Sequence, residues 1–420
     1  MDMTININVK LDIDCLKIYN KEILCYTRTM KNYFDVLIIG GGASGLLCAV
    51  ETSLSHRVAI LEASAKVGKK ILVSGNGKCN LTNLDISCAR YNTDWVEGII
   101  EEFSPAYVVQ KFAQYGLCCK QDQSRIYPHS ESANSVLNVL LSMLKMRGVQ
   151  VFGDTVVESI HRVDGEWKVM TKTQEFWCKK LVLATGSRAT FGKESYELVV
   201  PFKHRRTRLF PALVPLKSSS IVGANGVRAK VDTTLNIDGQ LFRESGELLF
   251  KDGAISGILA FRMSSHIARA SSRGYCNATL TIDFVPEMSE SELARFIEDT
   301  YNPHMGMLEG VLHKAIAMNI IRNTCMDRSM LMSETKAKAL AHTCKNFKAT
   351  IDGLGSINNA QVVSGGLDLS QWDDRTLRSK LVDDLYATGE VLNVDGECGG
   401  YNLHWAWASA LAVAKDINNA

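Results

Sequence analysis

The sequence predicts an α/β fold. A discontinuous Rossmann-like nucleotide-binding domain comes from both ends of the chain, with an inserted β-barrel domain and a small helical domain between them. Three observations carry this reading. A strand–turn–helix–strand unit spans Phe34 to Glu62, FDVLIIGGGASGLLCAVETSLSHRVAILE. A second apolar strand ends in Ala184-Thr185-Gly186, and a third in Ala387-Thr388-Gly389-Glu390. Between them the pattern changes twice, to short alternating strands after Pro201 and to helical periodicity after Ser289.

The first unit is the most specific. Asp35 to Ile39 is short, apolar and branched, as a buried parallel strand requires. Gly40, Gly42 and Gly45 then give G-x-G-x-x-G. The first allows a tight turn, the second a close approach to pyrophosphate, the third close packing of helix on strand. Ala43 and Ser44 open the helix, whose free N–H groups attract phosphate. Glu62, followed by Ala63, stands roughly 20 residues on, where a carboxylate meets a ribose.

Ser64 to Asn83 reads as a glycine-rich loop, and Trp95 to Tyr115 and Ala133 to Arg147 as amphipathic helices. Strands follow at Val149 to Phe152, Val156 to Ile160, Trp167 to Thr171 and Lys180 to Ala184, with Asp164-Gly165 as a hairpin turn. The nucleotide domain is expected over 30–200 and 350–420, the barrel over 201–288 and the helical domain over 289–349. Residues 1–29 have neither a signal-peptide layout nor a domain pattern. They are expected to be an N-terminal extension before a start at Met30, an added outer strand or helix being the alternative.

The net charge of +2 gives no argument for nucleic acid as a partner. No apolar run approaches bilayer length, so no membrane is expected. The twelve cysteines include no C-x-x-C and read as reduced thiols in a cytoplasmic protein, without zinc.

The far end of the chain decides the cofactor. A nicotinamide unit does not need the strand ending at Gly389 and Glu390, whereas a flavin extends well past the first glycine turn. Glu390 fits a contact to the ribitol and second phosphate. Gly399, Gly400, Tyr401 and Asn402 would start a helix aimed at the ring's pyrimidine edge, where its N–H groups favour negative charge.

Five segments, DVLIIGGGASGL, GKKILVSGNGKCNLTN, PALVPL, GELLF with GAISG, and VVSGGLDL with LYATGEVLNVDGECGGYNLHWAWASA, resemble the BaiN/YhiN type of NAD(P)/FAD-dependent oxidoreductases, an aminoacetone oxidase-like flavoprotein family. The resemblance implies an FAD-binding domain with non-covalent FAD, and the same three domains. It implies Gly40, Gly42 and Gly45 at the pyrophosphate and Glu62 at the ribose. Lys70, Gly77, Lys78, Cys79 and Asn80 would line the loop beside the flavin. Val157 would meet adenine, Glu390 the ribitol, and Gly400, Tyr401 and Asn402 the ring. The chain departs from the family pattern at Ser187-Arg188, where a second glycine is commoner, at Lys78, and in a final helix lacking the usual glycines.

Cys79 and Cys398 lie in segments expected near the flavin, and both read more readily as packing residues than as redox thiols. His129 and His404 have no visible catalytic partner. The basic run Lys203 to Arg208 reads as a solvated loop that could also meet a phosphate or carboxylate. The function expected is hydride transfer through flavin N5, with NAD(P)H as a transient donor because no second nucleotide motif is present. The resemblance suggests reduction of a C=C bond in a steroid-like small-molecule substrate. The alternatives are an amine oxidase using oxygen, a flavin-binding or RNA-modification-associated protein, and a plain NAD-dependent dehydrogenase.

Overall fold

The computed structural model describes residues 32–187, 195–274, 277–302, 307–324 and 331–420. The expected extension at 1–29 lies outside them.

The first sheet has seven strands. Gln150–Phe152, Val58–Leu61, Tyr33–Ile39 and Glu175–Leu183 run parallel in that order. The long strand Glu175–Leu183 shares its other edge between two partners. Glu166–Thr171 pairs antiparallel with its beginning, and Leu385–Ala387 pairs parallel with its end. Val157–Val163 completes the sheet beyond Glu166–Thr171. Val36, Leu37 and Ile38 are fully buried, as strands covered on both faces must be. The C-terminal helix Tyr401–Asn419 packs on the helix Ala43–Thr52. It is buried almost all round, which explains its run of Trp, Ala, Leu and Val.

The second sheet also has seven strands, all antiparallel, in the order Phe347–Thr350, Ala278–Asp283, Arg228–Ile237, Gln240–Lys251, Ala254–Ser256, Leu216–Lys217 and Gly353–Leu354. Only Ile351 and Asp352 separate its two edge strands in sequence. Ser220 Oγ accepts from Thr350 N at 2.6 Å, and Asp352 Oδ2 accepts from Ser219 N at 2.7 Å, tying the segment after Leu216–Lys217 to that connection. Asp238 and Gly239 both have positive φ, the type I′ geometry that an Asp-Gly pair favours. The helices Glu290–Asp299, Lys314–Asn323 and Glu334–Lys345 contribute Leu293, Ile297, Ile320 and Leu340 to the same core as Leu235 and Leu280 of the sheet.

Three elements differ from the sequence reading. The helical pattern over Trp95 to Tyr115 is two helices, Glu97–Glu102 and Pro105–Gln114, because Ser104 caps the second and Pro105 starts it. A small three-stranded sheet forms from Thr82–Asn83, Arg125–Pro128 and Cys119–Asp122. The helix Ile258–Arg273 lies inside the segment read as all-β. Serines and arginines dilute its apolar period. Leu259, Met263 and Ile267 join the core of the second sheet, while Ala268 and Phe261 meet Ala212, Leu213 and Val362. It therefore touches both bodies of the molecule.

Candidate functional site

The glycine turn is fixed by contacts that exclude any side chain. A Cβ on Gly40 (φ +110°) would lie 2.3 Å from Ala184 O, and one on Gly45 would lie 2.0 Å from Gly40 O. Gly42 differs: a Cβ there would meet nothing within 4 Å. The helix after it carries no side-chain cap and no acid in its first turn, so its N–H groups and positive end face open space. Glu62 is buried at the end of its strand. Its Oε2 accepts from Gly41 N at 2.7 Å and its Oε1 from Ser64 N at 2.8 Å. The carboxylate thus shapes the turn as well as standing where a ribose is expected. Thr155 N donates to Glu62 O at 2.9 Å, which brings the start of the Val157 strand alongside Ala63 and Glu62.

The remote strand ends converge on this turn. Ser44 Oγ lies 3.4 Å from Thr388 O, and a Cβ on Gly389 would lie 2.6 Å from Ser44 Oγ. Lys70 Nζ and Glu390 Oε2 pair at 2.7 Å, and Ser187 Oγ donates to the same carboxylate oxygen at 3.1 Å. Gly186 (φ +66°) sits beside Glu390, where its missing Cβ would be 3.9 Å from Oε2. Ser187 is therefore a hydrogen-bonding member of the cluster.

The expected ring end is built from a strained loop and the C-terminal helix start. Gly75, Asn76, Gly77 and Cys79 all have positive φ, a concentration of left-handed backbone typical of functional loops. Asn83 Nδ2 donates to Gly399 O at 2.8 Å. Trp407 Nε1 donates to Leu81 O at 3.0 Å. The helix after Gly400 is again uncapped by any side chain. Two buried oxygens on the path between the halves, Asn80 Oδ1 and Thr185 Oγ1, have no hydrogen-bond partner. Asn80 Oδ1 faces Gly400, whose Cβ would lie 3.0 Å from it. Open space at Gly42, two uncapped helix starts and unpaired buried acceptors are what a long phosphate-bearing cofactor with a polar ring would satisfy, so the residues fit FAD.

Other expected residues are placed differently. The Lys78 side chain turns away to an exposed pair with Glu131 at 2.6 Å. Asn402 is internal to its turn, accepting from Gly396 N and donating to Gly396 O, both at 2.8 Å. The Tyr401 ring packs edge-on against Tyr91 and beneath Arg90. Cys79 is fully buried, and burial pushes its thiol up to about 12. Burial also raises the Cys398 thiol, opposed by the charges of Arg262 and Arg125. His404 is fully buried, its imidazole pushed down to about 3 by burial, with Nδ1 against Thr82 Oγ1 at 2.8 Å. His129 is exposed. The basic run is not a solvated loop throughout: His204 is buried and stacked on Trp372, and Arg205 pairs with Asp368 at 2.9 Å. The sequence reading missed Asp395, whose buried carboxylate accepts from Arg269 Nε at 2.8 Å and Ser364 Oγ at 3.0 Å. The helix carrying Arg269 had gone unread, so the pair had no sequence signal.

One sheet thus brings together, from distant chain segments, the turn expected at the phosphates and the segments expected at the ring, the layout of a flavin-dependent oxidoreductase of the Rossmann class. The chain belongs to the HI0933-like family, whose Rossmann-domain description matches residues 34–416. It is 33% identical over 403 residues to the 3-dehydro-bile acid delta(4,6)-reductase of Clostridium scindens, covering 90% of this chain and 97% of that one. It is 27% identical over 411 residues to the ribosomal RNA dihydrouridine synthase of Haemophilus influenzae, covering 93% and 100%. Among solved structures, 3-ketosteroid delta1-dehydrogenase from Sterolibacterium denitrificans aligns with a TM-score of 0.47 at 13% identity, over 93% of this chain and 100% of that one. Among the described residues no helix is long and apolar enough to cross a membrane.

Proposed function

We propose that this flavoenzyme reduces a C=C bond conjugated to a carbonyl in a steroid or bile-acid-like substrate, with NAD(P)H as the transient donor. The observation that carries this reading is the near full-length likeness to the bile-acid reductase. FAD, once bound and reduced by NAD(P)H, would supply a hydride from N5. The chain's own residues bind and tune it. Gly40 to Gly45 and the helix start would hold the pyrophosphate, Glu62 the ribose, and Lys70 with Glu390 the ribitol side. The uncapped helix start at Gly400 offers partial positive charge to the pyrimidine edge.

A second reading is favoured by the likeness to the dihydrouridine synthase. Uracil also contains a C=C bond conjugated to a carbonyl, so the same chemistry would act on RNA. The deciding experiment is anaerobic. Purified protein is reduced with NADH or NADPH, then mixed with a 3-oxo-4,6-diene bile acid or with ribosomal RNA lacking dihydrouridine. Fast reoxidation by the steroid is expected. Reoxidation by RNA alone would select the second reading, and reduction by an amine alone would support the oxidase.

A further inference from the structure

Three arginines surround the turn from Gly396 to Gly400, and they differ in their partners. Arg90 pairs with Asp85 and, at 3.2 Å, with Glu397. Arg262 pairs with Glu244 at 3.0 Å. Arg125 is half-buried, and among the described residues its guanidinium has no carboxylate or hydrogen-bond partner.

Its position is fixed by the small sheet. Arg125 stands opposite Asn83, and Asn83 donates to Gly399 O. Alternation along the strand puts Arg125 and Tyr127 on one face and Ile126 on the other. Tyr127 lies against Gly75, whose Cβ would be 3.6 Å from the ring. That face therefore looks into the space between the strained loop from Gly75 to Cys79 and the turn at Gly399. The charge of Arg125 reaches the Cys398 thiol in the same space. Asp122 stands opposite Arg125 on the neighbouring strand, yet the two form no ion pair. A half-buried guanidinium left unpaired beside the expected ring end is arranged to receive a negative charge from outside the chain.

We propose that Arg125 is a catalytic residue that binds the substrate's carbonyl oxygen and takes up the negative charge developing there. This rests on the conjugated-carbonyl reading above. Hydride brings two electrons to the β-carbon. The alkene pair then joins the α-carbon to the carbonyl carbon, and the carbonyl pair moves to oxygen. A proton from water bonds the α-carbon, and the carbonyl reforms. The largest gain in charge is on the oxygen, where a preorganised guanidinium stabilises the transition state more than the ground state. The chemistry is common to a 3-oxo-steroid and to uracil.

The test uses the flavin-loaded protein and 4-chlorophenol, a stable analogue of the enolate. Wild type is expected to bind it as phenolate, with a long-wavelength flavin absorbance. Arg125→Met should bind it at least tenfold more weakly with flavin content unchanged, and Arg125→Lys should recover part of the affinity. The reoxidation of reduced enzyme by steroid or by RNA, whichever serves wild type, should slow at least a hundredfold in Arg125→Met, while reduction by NAD(P)H stays the same. Equal phenol affinity in wild type and Arg125→Met, absence of a phenolate band in wild type, or flavin loss in both variants overturns the proposal. Because phenol binding is independent of the natural substrate, failure of both steroid and RNA to reoxidise wild type counts against the functional reading alone.

Discussion

Arg269 and Asp395 form a buried ion pair that fastens the helix Ile258–Arg273 to the chain just before the turn at the ring end. Arg269 Nε reaches Asp395 Oδ2 at 2.8 Å and Nη2 reaches the Asp395 carbonyl at 2.9 Å, with side-chain exposures of only 13% and 1%. Burial pushes the Asp395 carboxyl up, and Arg269 opposes that shift. Arg269→Ala leaves this carboxylate without its cation, which costs about 3–5 kcal/mol. The double variant Arg269→Met/Asp395→Leu should lose less than Arg269→Ala. Urea unfolding of both proteins checks this; an Arg269→Ala loss below about 1 kcal/mol would show that the pair holds little together.

Gly42 and Gly45 should separate binding from folding. Gly42 has open space and an ordinary φ of −80°, so Gly42→Ala should fold with unchanged stability but retain FAD at least tenfold less well. Gly45→Ala drives a methyl group to 2.0 Å from Gly40 O and should destabilise by about 3 kcal/mol. Flavin occupancy and thermal unfolding of the two variants distinguish the roles. Full flavin retention in Gly42→Ala would remove the pyrophosphate from this turn.

Glu62→Ala removes the acceptor for two N–H groups, of Gly41 and Ser64. The expected cost is about 2–4 kcal/mol, together with weaker FAD retention. Glu62→Gln keeps one acceptor and should fold better while still losing flavin. Measured by refolding in excess FAD, a variant that regains stability but not flavin identifies the ribose contact.

His404 gives a pH dependence of defined sign. Its folded-state imidazole titrates at about 3 against an ordinary value of 6.5. Between these values only the unfolded chain takes the proton, so this contribution is complete above pH 6.5 and falls as pH drops below it. At pH 5 the loss is about 2 kcal/mol. His404→Gln should flatten the difference between urea unfolding at pH 7 and pH 5. An unchanged difference would place the titrating group elsewhere.

Neither Cys79 nor Cys398 is arranged as a thiolate, since burial raises both. The holoprotein at pH 8 should therefore show no thiolate-to-flavin charge-transfer band. Replacing either with serine should leave the visible spectrum unchanged.

The local physics made the first half of the fold legible. Gly40, Gly42, Gly45 and the branched strand before them encode a turn whose contacts are within a few residues of each other or one strand away. Asp164-Gly165 and Asp238-Gly239 likewise declare their hairpins through positive φ. The helix Ile258–Arg273 was hidden because its many serines and arginines lower its average hydropathy and mask the stripe Leu259, Met263 and Ile267. The strand Arg125–Pro128 was hidden because it is only four residues long, ends in proline and is paired with only two residues, Thr82 and Asn83, on one side. Arg269 and Asp395 meet across 126 residues of sequence, and no local pattern encodes such a meeting. At Ser187, where the sequence departs from the pattern it resembles, the side chain donates a hydrogen bond to Glu390 that no local pattern foretells.

The long strand Glu175–Leu183 takes its final neighbour, Leu385–Ala387, only after almost the whole insertion has been made. Ser44 and Thr388, which meet in the finished molecule, are 344 residues apart. A ribosome adding about 5–20 residues per second needs roughly 20–70 s to cover that distance. Throughout that interval the phosphate-binding turn exists without the strand that completes its sheet. The nascent chain must therefore keep the apolar edge at Leu181 to Leu183 from pairing with other chains, a task that falls to chaperones or to transient cover by its own later segments. On the proposed site, full cofactor capture waits for the synthesis of Thr388 to Asn402.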